Sequence, residues 1–328
     1  NDGHTGLYVQ RAFEQLGHQV EFYDYRAIGT SPELKNETVL HHSKNADLTL
    51  ILKGEIFSPE TLRSVHPCVL WNFDCWYCQE PSFLEQARSA DVFLSPCGGM
   101  VKQWRDEYSI NAFYLPEAAD IELHRPVPPV PEMGADVTFI GTVKDVPERD
   151  EWLAKVGAWC DETNHTFKIW GSFPGEKSGK WHTGLRAGGT NWTGRPLDTP
   201  PTEDEVHNTV VSSSKVILDR QRNPEIRGAI SARIFRTMAA KGLVLAKTGP
   251  YLEGAFTRGW HLLTYDDDGD CLRQLDLALG KDNIRHPITG FVTSSSTSMP
   301  NLARHGYESV LSKHTWKHRV QQLLEIVK

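Results

Sequence analysis

Nine apolar runs of five to eight residues recur along the chain: Ala46 to Leu52, Cys68 to Phe73, Ala90 to Pro96, Asn111 to Pro116, Ala135 to Thr142, Phe167 to Gly171, Lys215 to Asp219, Leu243 to Lys247 and His261 to Tyr265. They are apolar almost throughout instead of alternating, as strands buried on both faces are. Helical stretches separate them, and that rhythm predicts doubly wound parallel sheets. Near the start, Leu7, Phe13 and Leu16 fall at helical spacing before a stop at Gly17, and Val20, Phe22 and Tyr23 read as a short strand. A βαβ unit would place a strand ahead of the opening NDGHTG loop. The numbering, which begins at Asn1 with neither that strand nor a Met, is therefore expected to start inside a longer chain.

Between Leu115 and Pro131 the sequence LPEAADIELHRPVPPVP carries four prolines after Arg125. Proline can continue neither a helix nor an interior strand, so this segment reads as an interdomain linker. The predicted units are an N-terminal domain over 1–125 and a C-terminal domain over 126–308. From Asn301 onward the pattern is helical with a break expected near Gly306, and the serine-rich Ser294 to Ser298 run reads as a mobile loop.

Length and composition agree with two domains, because 328 residues exceed one comfortable core. Hydrophobic residues at 39% and charged residues at 23% are ordinary for a globular protein. No run approaches the ~20 apolar residues of a membrane span, and no leader pattern opens the sequence; no membrane insertion and a cytoplasmic location are the expectations. The six cysteines are too sparse for a disulfide framework, so reduced thiols are expected, Cys75 and Cys78 in their C-x-x-C included. No metal is expected. His314 and His318 are one helical turn apart but have no third ligand at suitable spacing. Charge is uneven: residues 1–120 hold nine Lys/Arg against 17 Asp/Glu, and the remainder 26 against 25.

Two open α/β domains joined by a hinge would set two carboxyl-end crevices facing one cleft, the usual place for ligands in such sheets. The second domain offers the better anion site. The chain turns at Gly141 after a strand, and GAISARIFRTMAAKG brings Ser231, Arg233 and Arg236 to a helix start, with five arginines between Arg220 and Arg236 against the single Glu225. Helix-start amides, a hydroxyl and a guanidinium suit a diphosphate. The same residues would also serve as a solvated basic helix face.

The ordered set ADVTFIGT, IWG, SKVILD, SARIFRTMAAKGLVLA, HLLTYDDD and KHTWKHRVQQLL, with LWNFD and LPEAAD earlier, resembles the CgeB-like family of GT-B glycosyltransferases. The resemblance spans most of the chain. It implies an α/β fold of two Rossmann-like domains, a nucleotide-diphosphate sugar donor in the C-terminal domain with a UDP-sugar as the expected form, an acceptor mainly in the N-terminal domain, and no obligatory metal. It also implies that the last helix, 309–328, crosses back to the first domain. Gly141 and Thr142 would sit against the donor phosphates or sugar, Ser231 and Arg233 would grip the diphosphate with Arg220 and Arg236 as further donor contacts, and Trp170 with Gly171 would border the nucleoside. Trp170 could equally be core. Where the family often has an acidic residue after the aromatic, expected at the ribose, this chain has Arg236 after Phe235.

For transfer to a hydroxyl, Asp74 at the end of the LWNF run is the first candidate base and His4 in the glycine loop the second, with Asp2 close by and Gly3 beside the acceptor. Each could instead be an ordinary loop residue. Between Pro174 and Pro196, Lys177, Lys180, Arg186 and Arg195 alternate with Trp181 and Trp192. Cations interleaved with flat rings suit phosphates and bases, so Lys177, Lys180, Trp181 and Arg186 are candidate acceptor contacts and DNA carrying 5-hydroxymethyl pyrimidines, as modified by phage enzymes, is one acceptor reading. The acidic first half favours saccharide, lipid or protein acceptors instead. A non-catalytic carbohydrate-binding relative and a sugar-nucleotide epimerase are the further alternatives.

Overall fold

The computed structural model describes residues 5–26, 31–74, 80–141, 147–171, 182–184, 203–221, 228–280, 283–285 and 292–328. Two compact units emerge. The N-terminal unit comprises Gly6–Glu117, Asn223–Ile230 and Trp316–Lys328; the C-terminal unit includes Ala118–Arg222 and Ser231–Thr315.

In the N-terminal unit, helix α1 (Thr5–Gln15) is followed by α2 (Pro32–Ser43), β1 (Thr49–Leu52), α3 (Pro59–Ser64), β2 (Cys68–Trp71), α4 (Pro81–Ser89), β3 (Val92–Ser95), α5 (Gly98–Tyr108) and β4 (Ala112–Tyr114). Ser-Pro pairs start two of these helices: Ser31 and Ser58 accept the amides of Leu34 and Thr61, and Pro32 and Pro59 fill the first helical position, where no N–H is needed. The strands form a parallel sheet in the order β1-β2-β3-β4. β2 and β3 are buried at every residue, which is why their sequences are unbroken apolar runs.

The expected strand at Val20 to Tyr23 does not form. Phe22 turns its ring onto α1, where a methyl at Gly6 would come within 2.9 Å of it, so a side-chain contact replaces strand pairing.

The C-terminal unit holds a 3-10 turn (Pro131–Met133), β5 (Val137–Ile140), α6 (Pro147–Thr163), β6 (Phe167–Trp170), β7 (His182–Gly184), α7 (Glu203–Ser213), β8 (Val216–Asp219), α8 (Ala232–Ala239), β9 (Val244–Lys247), α9 (Pro250–Ala255), β10 (Leu263–Tyr265), α10 (Asp268–Leu279), the hairpin strands β11 (Asn283–Arg285) and β12 (Val292–Ser294), and α11 (Ser295–Lys313). Its six-stranded parallel sheet runs β10-β9-β8-β5-β6-β7. Strand order reverses between β5 and β8. Such a switch point leaves a crevice outside the carboxyl ends of the two strands.

The proline-rich segment is strapped to α7. With Pro126, Pro128, Pro129 and Pro131 lacking an N–H, Val127 and Val130 supply amides that donate to Ser212 Oγ (3.1 Å) and Ser213 Oγ (2.8 Å). Asn208 Nδ2 donates to the Leu123 carbonyl at 2.6 Å, and His124 bonds Asp204 at 2.9 Å. Asp204, Asn208 and Ser212 recur every four residues, one stripe of a helix. The units accordingly divide between Glu117 and Ala118, upstream of the 125/126 position read from the prolines.

Two other expectations change. The Ser295 to Ser298 backbone is the first turn of α11 and not a loop; serine favours helix starts. α11 also runs through Gly306, where a methyl would lie 2.6 Å from the His261 carbonyl, so this glycine serves close packing instead of a break. The break falls at His314 and Thr315, after which α12 (Trp316–Ile326) joins the N-terminal unit. Trp316 meets Trp71 at 5.6 Å and Tyr8 at 6.2 Å between ring centroids. Arg319, its pKa lowered to about 10 by burial, donates to the Pro116 and Glu117 carbonyls.

Candidate functional site

At the switch point, Gly141 follows β5 and Asp219 ends β8. Gly141 and Gly171 have φ of +155° and +156°, backbone that side chains rarely adopt. A methyl at Gly171 would stand 1.9 Å from the Gly141 carbonyl, and one at Gly141 would stand 2.8 Å from Arg233 Nη2. Two strand ends and a guanidinium therefore meet at a spot only glycine permits. The Gly141 amide donates to the Trp170 carbonyl at 2.8 Å, so what Gly141 offers a ligand is close approach, its N–H being already committed.

Arg233 comes from α8. Ser231 caps that helix by accepting the Arg233 amide at 3.3 Å, and a guanidinium in the first turn stands beside the positive helix end. Concentrating cationic character this way needs an anion nearby. Buried Asp219 supplies one, its Oδ1 accepting from Arg233 Nη1 at 2.8 Å, while the guanidinium lies 4.9 Å from the centre of the Phe139 ring. Arg220 donates to Asp268 at 2.8 Å and lies over Trp152 at 5.2 Å. Burial raises the Asp268 carboxyl, but hydrogen bonds and charge from Lys155 and Arg220 outweigh it and hold the group below the ordinary Asp value. Arg149, in the first turn of α6, is buried and donates to the Arg220 carbonyl at 2.6 Å. Three guanidiniums thus converge on the ends of β5 and β8. Oxyanions are the ligands that such planar, multiply donating groups suit.

Of the residues read from sequence, Gly141, Gly171, Arg220, Ser231 and Arg233 come together here. The Trp170 side chain is 8% exposed and packs with Met133 and Val210. Arg236 is turned the other way, 3.7 Å from Asp204. Its neighbourhood is a buried polar group in which the Asp120 amide donates to His124 Nδ1 at 3.0 Å, so that His124 Nε2–H donates to Asp204, and the His207 ring stands 6.2 Å from that of His124. Burial is the main cause that lowers both histidines; the charge of Arg236 adds to it for His124, and the charges of His124 and then Arg236 add to it for His207, against the opposing pull of Asp204, and His207 lies well below its ordinary value. One helical turn separates Arg233 from Arg236, enough to send them to different surroundings.

In the N-terminal unit Asp74 follows β2 at the carboxyl edge of that sheet. Its carboxylate pairs with Lys53 Nζ at 2.6 Å, and its amide donates to Asn72 Oδ1, whose Nδ2 donates to the Lys53 carbonyl. Lys53 went unnoticed in the sequence. Gly3, His4, Thr142, Lys177, Lys180, Trp181 and Arg186 lie outside the described residues. Asp219, which ends an apolar run, was legible as a strand-edge carboxylate; Arg149 carried no signal.

Among the described residues no group of three or more His, Cys, Asp or Glu is arranged to hold a metal, and no helix is long and apolar enough to cross a membrane. His314 lies in the break after α11, its ring 4.8 Å from that of Phe256, while His318 lies in α12, so they do not share a helix face. Cys97 is disulfide-bonded, which corrects the expectation of reduced thiols throughout, since spacing along the chain does not report nearness in space. Cys68, Cys160 and Cys271 are free, and burial pushes each thiol up to about 12.

No curated protein matches the chain in sequence. Solved structures do match in fold. HepE of Anabaena in complex with UDP-glucose aligns with a TM-score of 0.63 at 10% identity, over 97% of this chain and 88% of that one. A glycosyltransferase from Rickettsia africae gives 0.61 at 12% identity, over 98% and 92%. Sucrose-phosphate synthase from Thermosynechococcus elongatus gives 0.56 at 13%, over 93% and 79%. At these identities the likeness establishes the fold: two parallel α/β sheets as in GT-B glycosyltransferases. The family described as glycosyl transferase-like matches residues 149–325, from the first turn of α6 into α12, a span that includes Arg149, Asp219, Arg220, Ser231 and Arg233 and begins after β5 and Gly141. By that match over more than half its length, the chain belongs to the glycosyl transferase-like family.

Proposed function

We propose that this glycosyltransferase takes its sugar from a UDP-sugar and transfers it to an acceptor hydroxyl, with the donor diphosphate bound at the switch point of the C-terminal sheet. The observation that carries the reading is Arg233, anchored by Asp219 and brought against the glycine turn that ends β5. Ser231 and Arg220 complete the anion site, and Gly141 and Gly171 leave room for the donor. That HepE of Anabaena has been solved with UDP and with UDP-glucose supports uridine as the nucleoside.

In the reaction the acceptor oxygen forms a bond to the sugar's anomeric carbon as the bond from that carbon to the diphosphate oxygen breaks. The electron pair leaves with UDP, whose charge Arg233 and Arg220 balance. In an inverting course the acceptor proton passes to a base, for which Asp74 is the first choice and His4 the second. The acceptor reading with a sequence feature behind it is DNA bearing 5-hydroxymethyl pyrimidines, through Lys177, Lys180, Trp181 and Arg186; a saccharide, lipid or protein hydroxyl is the alternative.

The test is nucleotide release by the purified chain from UDP-, GDP- and dTDP-sugars, with and without such DNA. UDP release that falls about 30- to 150-fold in Arg233→Ala, the worth of a charged hydrogen bond of about 2–3 kcal/mol, supports the donor site. Release that needs the modified DNA identifies the acceptor, and release indifferent to it removes DNA. If none of the donors is turned over or bound, the transferase reading is wrong and a non-catalytic role replaces it.

A further inference from the structure

Pairing between β8 and β5 ends at Leu218, yet the next two residues, Asp219 and Arg220, are the ones that hold Arg233 and reach Asp268. A strand end that has lost one neighbour needs another restraint to keep its side chains aimed. Both carbonyls beyond Leu218 are taken by side chains from elsewhere: the Tyr265 hydroxyl donates to the Asp219 carbonyl at 3.1 Å, and Arg149 Nη2 donates to the Arg220 carbonyl at 2.6 Å. Tyr265 ends β10 and is fully buried; Arg149 is 5% exposed. Neither belongs to the strands that flank β8 in the sheet.

The clamp and the charged groups share their supports. Tyr265 stacks on Trp152 at 5.8 Å, the ring over which Arg220 lies at 5.2 Å, and Arg149 and Arg233 both lie over Phe139, at 5.3 and 4.9 Å. The Tyr265 phenol, raised well above its ordinary value by burial, keeps its proton at any working pH and remains a donor. Fixing two consecutive peptides fixes the direction of the Arg220 Cα–Cβ bond between them and restrains Asp219 from the carbonyl side, and guanidinium hydrogen bonds weaken steeply with misalignment.

We propose that Arg149 and Tyr265 are positioning residues for donor binding: as a two-sided clamp on the backbone of Asp219 and Arg220, they hold Arg220 and, through Asp219, Arg233 in the orientation that receives the diphosphate. The proposal rests on the donor reading above. Neither residue contacts the donor in it; each acts through peptide groups.

Tyr265→Phe removes one hydroxyl and keeps the ring, and Arg149→Lys keeps the charge while losing the planar fork. On the full chain, UDP affinity by calorimetry, amide exchange of the 216–221 backbone and the urea midpoint are measured together. The expected result is UDP binding weakened about three- to tenfold in Tyr265→Phe, the loss of one hydrogen bond, with faster exchange at 219–221. Arg149→Lys is expected to weaken UDP binding at least as much, since charge alone does not rescue geometry. Variants that lower the urea midpoint but bind UDP as the wild type does overturn the proposal and leave the two residues merely structural. If the wild type itself binds no UDP, the donor reading falls and the positioning role with it, while exchange at 219–221 still reports whether the clamp orders the strand end.

Discussion

Each sheet ends in a carboxylate paired with a cation at its carboxyl edge, but the pairs live in different solvents. In the C-terminal unit the Asp219 and Arg233 side chains are 4% and 16% exposed; in the N-terminal unit those of Asp74 and Lys53 are 34% and 30% exposed. A buried pair is rigid and costly to break, because either partner alone would be a stranded charge. A half-exposed pair contributes about 0–1 kcal/mol and can exchange its partner. The first arrangement suits a fixed anion receptor and the second suits a group that must release its cation to take a proton. Under the proposed function, a carboxylate paired with a cation would thus serve binding in one unit and proton transfer in the other.

The largest effect expected from this contrast is on turnover. Asp74→Asn should lower kcat about 10²- to 10⁴-fold, the span for loss of a general base, with a thermal midpoint close to that of the wild type; kcat left intact would make Asp74 a plain loop carboxylate and send the search to His4. Next, Asp219→Asn should destabilise the chain by about 3 kcal/mol, against under about 1 kcal/mol for Asp74→Asn. Urea titrations of the two variants side by side measure that difference, and equal losses would show that burial does not separate the pairs.

The smallest effect concerns the buried group behind α8. His124 and His207 both have pKa values lowered below 6.5, so as pH falls the unfolded chain binds protons first. The stability they contribute is present above 6.5 and is lost as pH drops below it, at no more than about 1.4 kcal/mol per pH unit for each histidine. Midpoints measured from pH 7.5 down to 5 should decline, and His207→Gln should flatten the decline; an identical slope in the variant would remove His207 as its source.

Elements buried on both faces were the most legible. All nine apolar runs became strands within a few residues of their predicted ends, because desolvating a whole backbone segment demands an unbroken apolar sequence. Val20 to Tyr23 failed because a half-exposed run has no such demand, and Gly306 misled because a glycine marks close approach as readily as a helix end. At the candidate site Gly141, Ser231 and Arg233 could be found from strand ends and a helix start. Arg149 and Tyr265 could not. They act on carbonyl groups that every residue possesses, and no residue pattern records which carbonyl a distant side chain will meet.

From the amino-acid sequence alone came the nine apolar strands with helices between them, the two-unit organisation and the concentration of arginine between Arg220 and Arg236, since these depend on local periodicity and composition. Only the tertiary structure decided that Arg233 faces Gly141 while Arg236 faces Asp204, and that the proline segment is strapped to α7. It alone set Asp219 in a dry pair and Asp74 in a wet one. Those outcomes turn on which side chains the packing removes from water and which partners it brings within hydrogen-bond reach, and both are fixed by contacts between residues far apart in the chain.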